Sequence, residues 1–199
     1  MLEKAIEFAV KAHAGTFRKG SDVPYIVHPI EVMKIVATLT RDEEVRAAAV
    51  LHDTIEDTEV TFAELEQSFG SRVARLVASE SEDKRRGLPA TETWTVRKQE
   101  TMAHLERAAW DTRAICLGDK LANLRDMVRD YRAVGETIWD RFNAPTVFGG
   151  EELGTEGKRR NTGWYYLSIS EILREDFSET PIWQEYRALA EELFDRAGE

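Results

Sequence analysis

Apolar residues recur along most of this chain at intervals of three and four, the period of helices that pack by one face. Leu2, Ile6 and Ala9, followed by Ala12/His13, mark a first helix over about 2–14. Gly15 to Val27 reads as a loop. Pro29, whose missing N–H costs nothing in a first turn, opens a helix reaching about Leu39. Asp42 is placed to cap a helix over about 43–54, and Thr61-Phe-Ala-Glu64 is a capping box for a short helix that Gly70 stops. Ser71 is placed to cap the next, which runs to about Ser81. A charged loop over 82–92 precedes helices over about 93–109 and 112–133, and Gly135 breaks the pattern. Residues 144–163 carry Pro145, Gly149, Gly150, Gly154, Gly157 and Gly163 and read as a mobile loop. Helices resume over about 164–175, and Thr180-Pro181 supplies an N-cap and first position for the last one. No alternating strand pattern of useful length is present. The expected fold is all-α, a single-domain helical bundle with a core over about 1–135 and a helical extension over 136–199.

The chain's 199 residues suit one domain with a real core. No apolar run approaches the roughly 20 residues of a membrane span, and the charged amphipathic start is not a signal peptide. One cysteine, Cys116, lies in an apolar stretch and reads as a core residue, which makes a reducing cytoplasm the expected location. A formal net charge of −10 argues against nucleic acid and anionic membrane as partners. A small anionic ligand stays possible where a metal or a few placed cations assist. The basic runs Lys84-Arg85-Arg86 and Lys158-Arg159-Arg160 read first as solvated faces, with a phosphate-gripping lid as the sharper alternative for the second.

Chemistry concentrates where the apolar run Ala47–Leu51 ends. His52 and Asp53 follow at once, and then Glu56 and Asp57. On one helix Glu56 stands four residues after His52, and Asp57 four after Asp53, so the acids share a face and repel by a few tenths of a kcal/mol, roughly, per pair. Such a cluster near the interior calls for a cation. Further on, Leu117, Leu121, Leu124 and Val128 form an apolar stripe, while Asp119, Asn123 and Asp126 form a separate polar one. Spacing alone favours a solvated face for the polar stripe. Gly118 would permit close approach beside Asp119. His28, just before a helix, reads by itself as a cap or a packed ring. Taken together, His28, His52, Asp53 and Asp119 offer two imidazoles and two carboxylates from three helices. That mixed set suits Mn²⁺, Fe²⁺ or Zn²⁺ better than Mg²⁺ or Ca²⁺, and leaves two octahedral positions for water or substrate.

The order His…His-Asp…Asp resembles the HD superfamily of metal-dependent phosphohydrolases. Phe17-Arg-Lys-Gly, Pro24-Tyr-Ile-Val-His-Pro, Leu51-His-Asp-Thr-Ile-Glu-Asp-Thr58 and Asp119-Lys-Leu-Ala-Asn-Leu-Arg resemble more closely the hydrolase domain of the RelA/SpoT family. The likeness extends to the small alarmone hydrolases of the metazoan SpoT-homologue type, and covers about residues 1–130. It implies an HD-type helical fold and one divalent ion, Mn²⁺ first, on His28, His52, Asp53 and Asp119. It implies a hydrolytic carboxylate pair, Glu56 and Asp57, without saying which is the base. It implies substrate contacts from Arg18, Lys19, Tyr25 and Asn123. The implied reaction removes pyrophosphate from the 3′ position of guanosine tetra- or pentaphosphate, with water activated by the metal. The alternative is another nucleotide, such as NADPH losing its 2′-phosphate. Gly118 stands where many members have Ala, and segments 84–94 and 144–163 depart from the family pattern. The residues after about 135 are too few for a synthetase domain, so the chain is expected to degrade its substrate and not to make it.

Overall fold

Helix starts fall largely where the sequence supplies caps. The computed structural model describes residues 1–85 and 87–194, which places Arg86 of the first basic run outside the described residues. In chain order the helices are α1 (Leu2–Ala12), α2 (Val27–Leu39), α3 (Glu43–Leu51), the one-turn α4 (Thr54–Asp57), α5 (Phe62–Phe69), α6 (Ser71–Glu80), α7 (Ala90–Leu105) and α8 (Trp110–Val134). A 3-10 turn (Gly135–Arg141), the two-residue strands β1 (Val147–Phe148) and β2 (Glu151–Glu152), α9 (Thr155–Phe177) and α10 (Pro181–Phe194) complete the chain. The Asp42 side chain accepts from the backbone N–H groups of Glu44 and Val45, as a cap of α3 should. Thr61 and Glu64 form the reciprocal capping box of α5. Ser71 is the first residue of α6, and the cap position belongs to Gly70.

The chain divides into two compact units. One comprises Met1–Ser81 and Ala109–Ala122; the other comprises Glu82–Ala108 and the residues from Asn123 onward. The core of the first unit is α3. Ala47, Ala48, Ala49, Val50 and Leu51 are completely buried, because α1, α2 and α6 all pack on this helix. Alanines on three sides let those neighbours come close. The first half of α8 adds Ala114, Ile115, Cys116, Leu117 and Leu121, so the cysteine is a core residue as expected. At Gly118 an added Cβ would stand 2.8 Å from Val36 Cγ2 and 3.3 Å from the Val32 carbonyl oxygen. The missing side chain is therefore a helix-crossing contact between α8 and α2. One guanidinium, that of Arg72, ties three elements at the rim by binding Asp42, Glu44 and Asp111 at 2.8, 2.6 and 2.7 Å.

In the second unit α9 packs on α10, α7 and the 3-10 turn. Trp139 lies against Phe142 and Phe194, and the buried Tyr186 hydroxyl donates to the Tyr166 carbonyl at 2.8 Å. The expected mobile loop over 144–163 is instead a small hairpin followed by the first turns of α9. Gly149, Gly150 and Gly154 take positive φ in and after the hairpin, whereas Gly157 and Gly163 are there for proximity. A Cβ at Gly157 would fall 1.7 Å from the Thr146 carbonyl oxygen, and one at Gly163 would fall 2.8 Å from Phe194 Cβ. The Asn161 amide stitches the hairpin down, within 2.9 Å of the carbonyl oxygens of Pro145 and Val147. Among the described residues no helix is long and apolar enough to cross a membrane.

Candidate metal centre

The helix expected over 43–54 stops at Leu51, and the stop shapes the site. His52 keeps helical angles, but Asp53 turns to φ −91°, ψ −3°, and a separate single turn begins at Thr54. In an unbroken helix consecutive side chains diverge by about 100°. The joint lets two adjacent residues face one point. The Asp57 N–H still bonds the Asp53 carbonyl at 2.9 Å, so the expected one-turn relation of these two acids survives.

Four side chains converge there from three segments. His28 is the second residue of α2, His52 and Asp53 form the α3–α4 joint, and Asp119 follows Gly118 in α8. His28 Nε2 lies 3.1 Å from Asp119 Oδ1, and that oxygen lies 3.7 Å from His52 Nε2. His52 Nε2 lies 3.0 Å from Asp53 Oδ2, which lies 3.7 Å from His28 Nε2 and closes the ring. Both imidazoles and Asp119 are buried. Neighbouring donors on an octahedral ion with bonds of about 2.1 Å stand about 3 Å apart, so the ring has the dimensions of a divalent ion's coordination sphere. His52 Nε2, fully buried, is in hydrogen-bond geometry with no partner among the described residues. It faces the centre of the ring and not one carboxylate. The other nitrogen, Nδ1, bonds the Ala49 carbonyl oxygen at 2.9 Å and must be the donor there, which leaves Nε2 free to bind an ion.

The electrostatics describe a site built for a cation. Burial opposes charge on His52, yet Asp53 and Asp119 outweigh it and push the imidazole well above its ordinary value. Burial likewise opposes ionisation of Asp119, but Lys120, His28 and His52 hold it well below the usual carboxylate range. Asp53 is lowered in the same way, chiefly by His52 against burial. The Lys120 ammonium grips Asp119 Oδ2 at 2.6 Å, leaving Oδ1 to face the imidazoles. Burial pushes Glu80, the last residue of α6, up to about 8, against the opposing pull of Lys120 and His52.

The remaining predicted residues take distinct places. The Tyr25 hydroxyl stands 2.6 Å from Asp53 Oδ2 and 3.1 Å from Asp57 Oδ2. The Arg18 guanidinium lies over the Tyr25 ring, 5.6 Å from its centre. The loop holding both is pinned as a narrow hairpin, with Arg18 N–H bonding the Val23 carbonyl at 2.8 Å and Tyr25 N–H bonding that of Thr16 at 2.9 Å. Lys19 is exposed beside Arg18. Glu56 is half-buried, one residue before Asp57 on α4. Asn123 is half-buried one turn beyond Asp119 on α8, within the second unit. Three residues near the centre escaped the sequence reading: Lys120, Glu80 and His13. His13 is buried with its ring 4.9 Å from that of Tyr25, and burial lowers its pKa against the pull of Asp53 and Asp57. Lys120 had a usable signal, its adjacency to Asp119. Glu80 and His13 had none beyond their place in amphipathic helices.

Gly118 sets how closely α2 and α8, hence His28 and Asp119, approach. Gly118→Leu is expected to destabilise the protein by about 1–3 kcal/mol through overpacking against Val36. Thermal unfolding measures it, and an unchanged midpoint would remove this role.

The HD domain profile matches residues 5–145. The zebrafish (Danio rerio) guanosine-3′,5′-bis(diphosphate) 3′-pyrophosphohydrolase MESH1 is 40% identical over 133 residues, spanning 65% of this chain and 70% of that protein. Its human counterpart is 40% identical over 132 residues, with 64% and 70% covered. The solved structure of a metazoan orthologue of SpoT superposes with a TM-score of 0.71 at 24% identity, covering 96% of this chain and 94% of that one.

Proposed function

Because the chain belongs to the HD domain family, we propose that it is a metal-dependent phosphohydrolase that removes pyrophosphate from the 3′ position of guanosine 3′,5′-bis(diphosphate). The observation that carries this reading is the closed ring of His28, Asp119, His52 and Asp53 with an acid-bearing helical turn beside it. The relatives named as hydrolases of that nucleotide support the substrate. These four residues would hold one divalent ion, and the nitrogen and oxygen donor set favours Mn²⁺. When bound, such an ion supplies Lewis acidity, making water a nucleophile near neutral pH and offsetting phosphate charge.

The chain's own residues supply the rest. Glu56 or Asp57 orients the attacking water and accepts its proton. The water oxygen bonds to the phosphorus next to the ribose, the bond from that phosphorus to O3′ breaks, and O3′ takes up a proton. Lys120 holds Asp119 in the orientation the centre needs. Arg18 and Lys19 offset phosphate charge in an otherwise acidic protein, and Asn123 hydrogen-bonds the substrate. The net charge of −10 supports a small nucleotide as partner and not a nucleic acid. The single, buried Cys116 supports a reducing cytoplasmic location.

The test is to incubate Mn²⁺-loaded protein with guanosine tetraphosphate, NADPH and a deoxynucleoside triphosphate and to identify the products. GDP with pyrophosphate from the first is the expected result. Inorganic phosphate from NADPH alone, or inertness toward guanosine tetraphosphate, would overturn the substrate.

A further inference from the structure

We infer that Tyr25 is a positioning residue, whose hydroxyl locks the orientation of Asp53 toward the ion and ties Asp57 to the same point. The inference rests on the proposed hydrolytic centre and deepens it. Residues of this kind invite a different role, stacking on the substrate's base, and the geometry speaks against that role here. The ring already lies against His13, 4.9 Å between centres, and against His28, 5.9 Å away, with the Arg18 guanidinium over it. The hydroxyl, meanwhile, is committed to the reaction centre.

A phenol has one proton to donate. Two carboxylate oxygens stand within reach, at 2.6 Å on Asp53 and 3.1 Å on Asp57. The shorter contact takes the proton, so Asp53 Oδ2 is fixed in the ring of donors by a group from another segment. Hydrogen bonds to ligating carboxylates set their direction and basicity, and losing one typically lowers metal affinity or activity by roughly 10- to 100-fold. The longer contact keeps Asp57 within the same small assembly. Asp57 belongs to α4, Tyr25 to the hairpin loop that carries Arg18, and Asp53 to the joint after α3. One hydroxyl thus links the phosphate-gripping loop, a metal ligand and a proton-handling acid.

Tyr25→Phe removes the oxygen and keeps the ring. The variant is expected to lose about 10- to 100-fold in kcat on guanosine tetraphosphate with KM within about twofold of wild type, and to bind Mn²⁺ about 10-fold more weakly in a calorimetric titration of the metal-free protein. Tyr25→Leu should match Tyr25→Phe in kcat. A Tyr25→Phe protein with wild-type kcat and Mn²⁺ affinity would overturn the inference. So would Tyr25→Leu raising KM while Tyr25→Phe stays normal, since that pattern belongs to base stacking. The Mn²⁺ titration needs no substrate. Wild-type inertness toward guanosine tetraphosphate would therefore sink the substrate reading separately from this one.

Discussion

His52→Ala protein is expected to lose Mn²⁺ on dialysis and to show no measurable hydrolysis, a fall of at least about 10³-fold. Like His28, the imidazole meets both carboxylates of the ring, at 3.0 and 3.7 Å, and nothing in alanine replaces its Nε2. The substitution also leaves Asp53 and Asp119 facing each other's field with one compensating imidazole gone. Removing one partner of a buried charge cluster typically costs about 3–5 kcal/mol, so the melting temperature of the metal-free variant should fall as well. Metal content by atomic absorption and the melting curve measure the two effects. A stoichiometric ion retained by His52→Ala would sink the assigned coordination.

The same residue gives the pH dependence its sign. The His52 pKa is raised in the folded protein, so its charge stabilises the metal-free fold below the ordinary histidine pKa, and that contribution is lost as pH climbs through the raised value. An ion needs the neutral imidazole and competes with that proton. Stabilisation by added Mn²⁺ should therefore grow as the pH rises above the ordinary histidine value, read as the difference in melting temperature with and without the ion.

Glu56→Ala should separate the two losses: full metal, little catalysis. Its carboxylate is outside the ring, on α4, so the ion is retained, while loss of a general base typically removes about 10²–10⁴ in rate. Asp57→Ala is expected to lose rate too, and the double variant should lose much less than the product of the two, because in the proposed reaction the acids serve one proton transfer. Bound metal and kcat measured on the same preparation decide it. Unchanged turnover in Glu56→Ala would take that residue out of the reaction.

Most helices were legible because their caps and apolar spacing are local properties. Asp42, the Thr61–Glu64 box and Thr180-Pro181 all act where the pattern put them. The four candidate ligands were picked out for another reason: their order resembles the signature of the HD superfamily. What could not be read depends on distant neighbours. The start of α9 was hidden because glycine is a poor helix former, and its reason for standing at 157 and 163 is a carbonyl and a phenylalanine far away in sequence. His13 and Glu80 were invisible for the same cause, since an amphipathic stripe does not say which buried group faces a catalytic centre. Tyr25 was assigned to the substrate from its motif, and only the folded chain reveals a hydroxyl turned toward the acids.

The broken backbone between α3 and α4 has a consequence for anyone who would transplant this chemistry. Copying the two adjacent donors onto a straight helical scaffold would splay them a quarter-turn apart, and each would address a different neighbour. Any portable unit must carry the interruption itself, with the helical segment before it and the single turn after it.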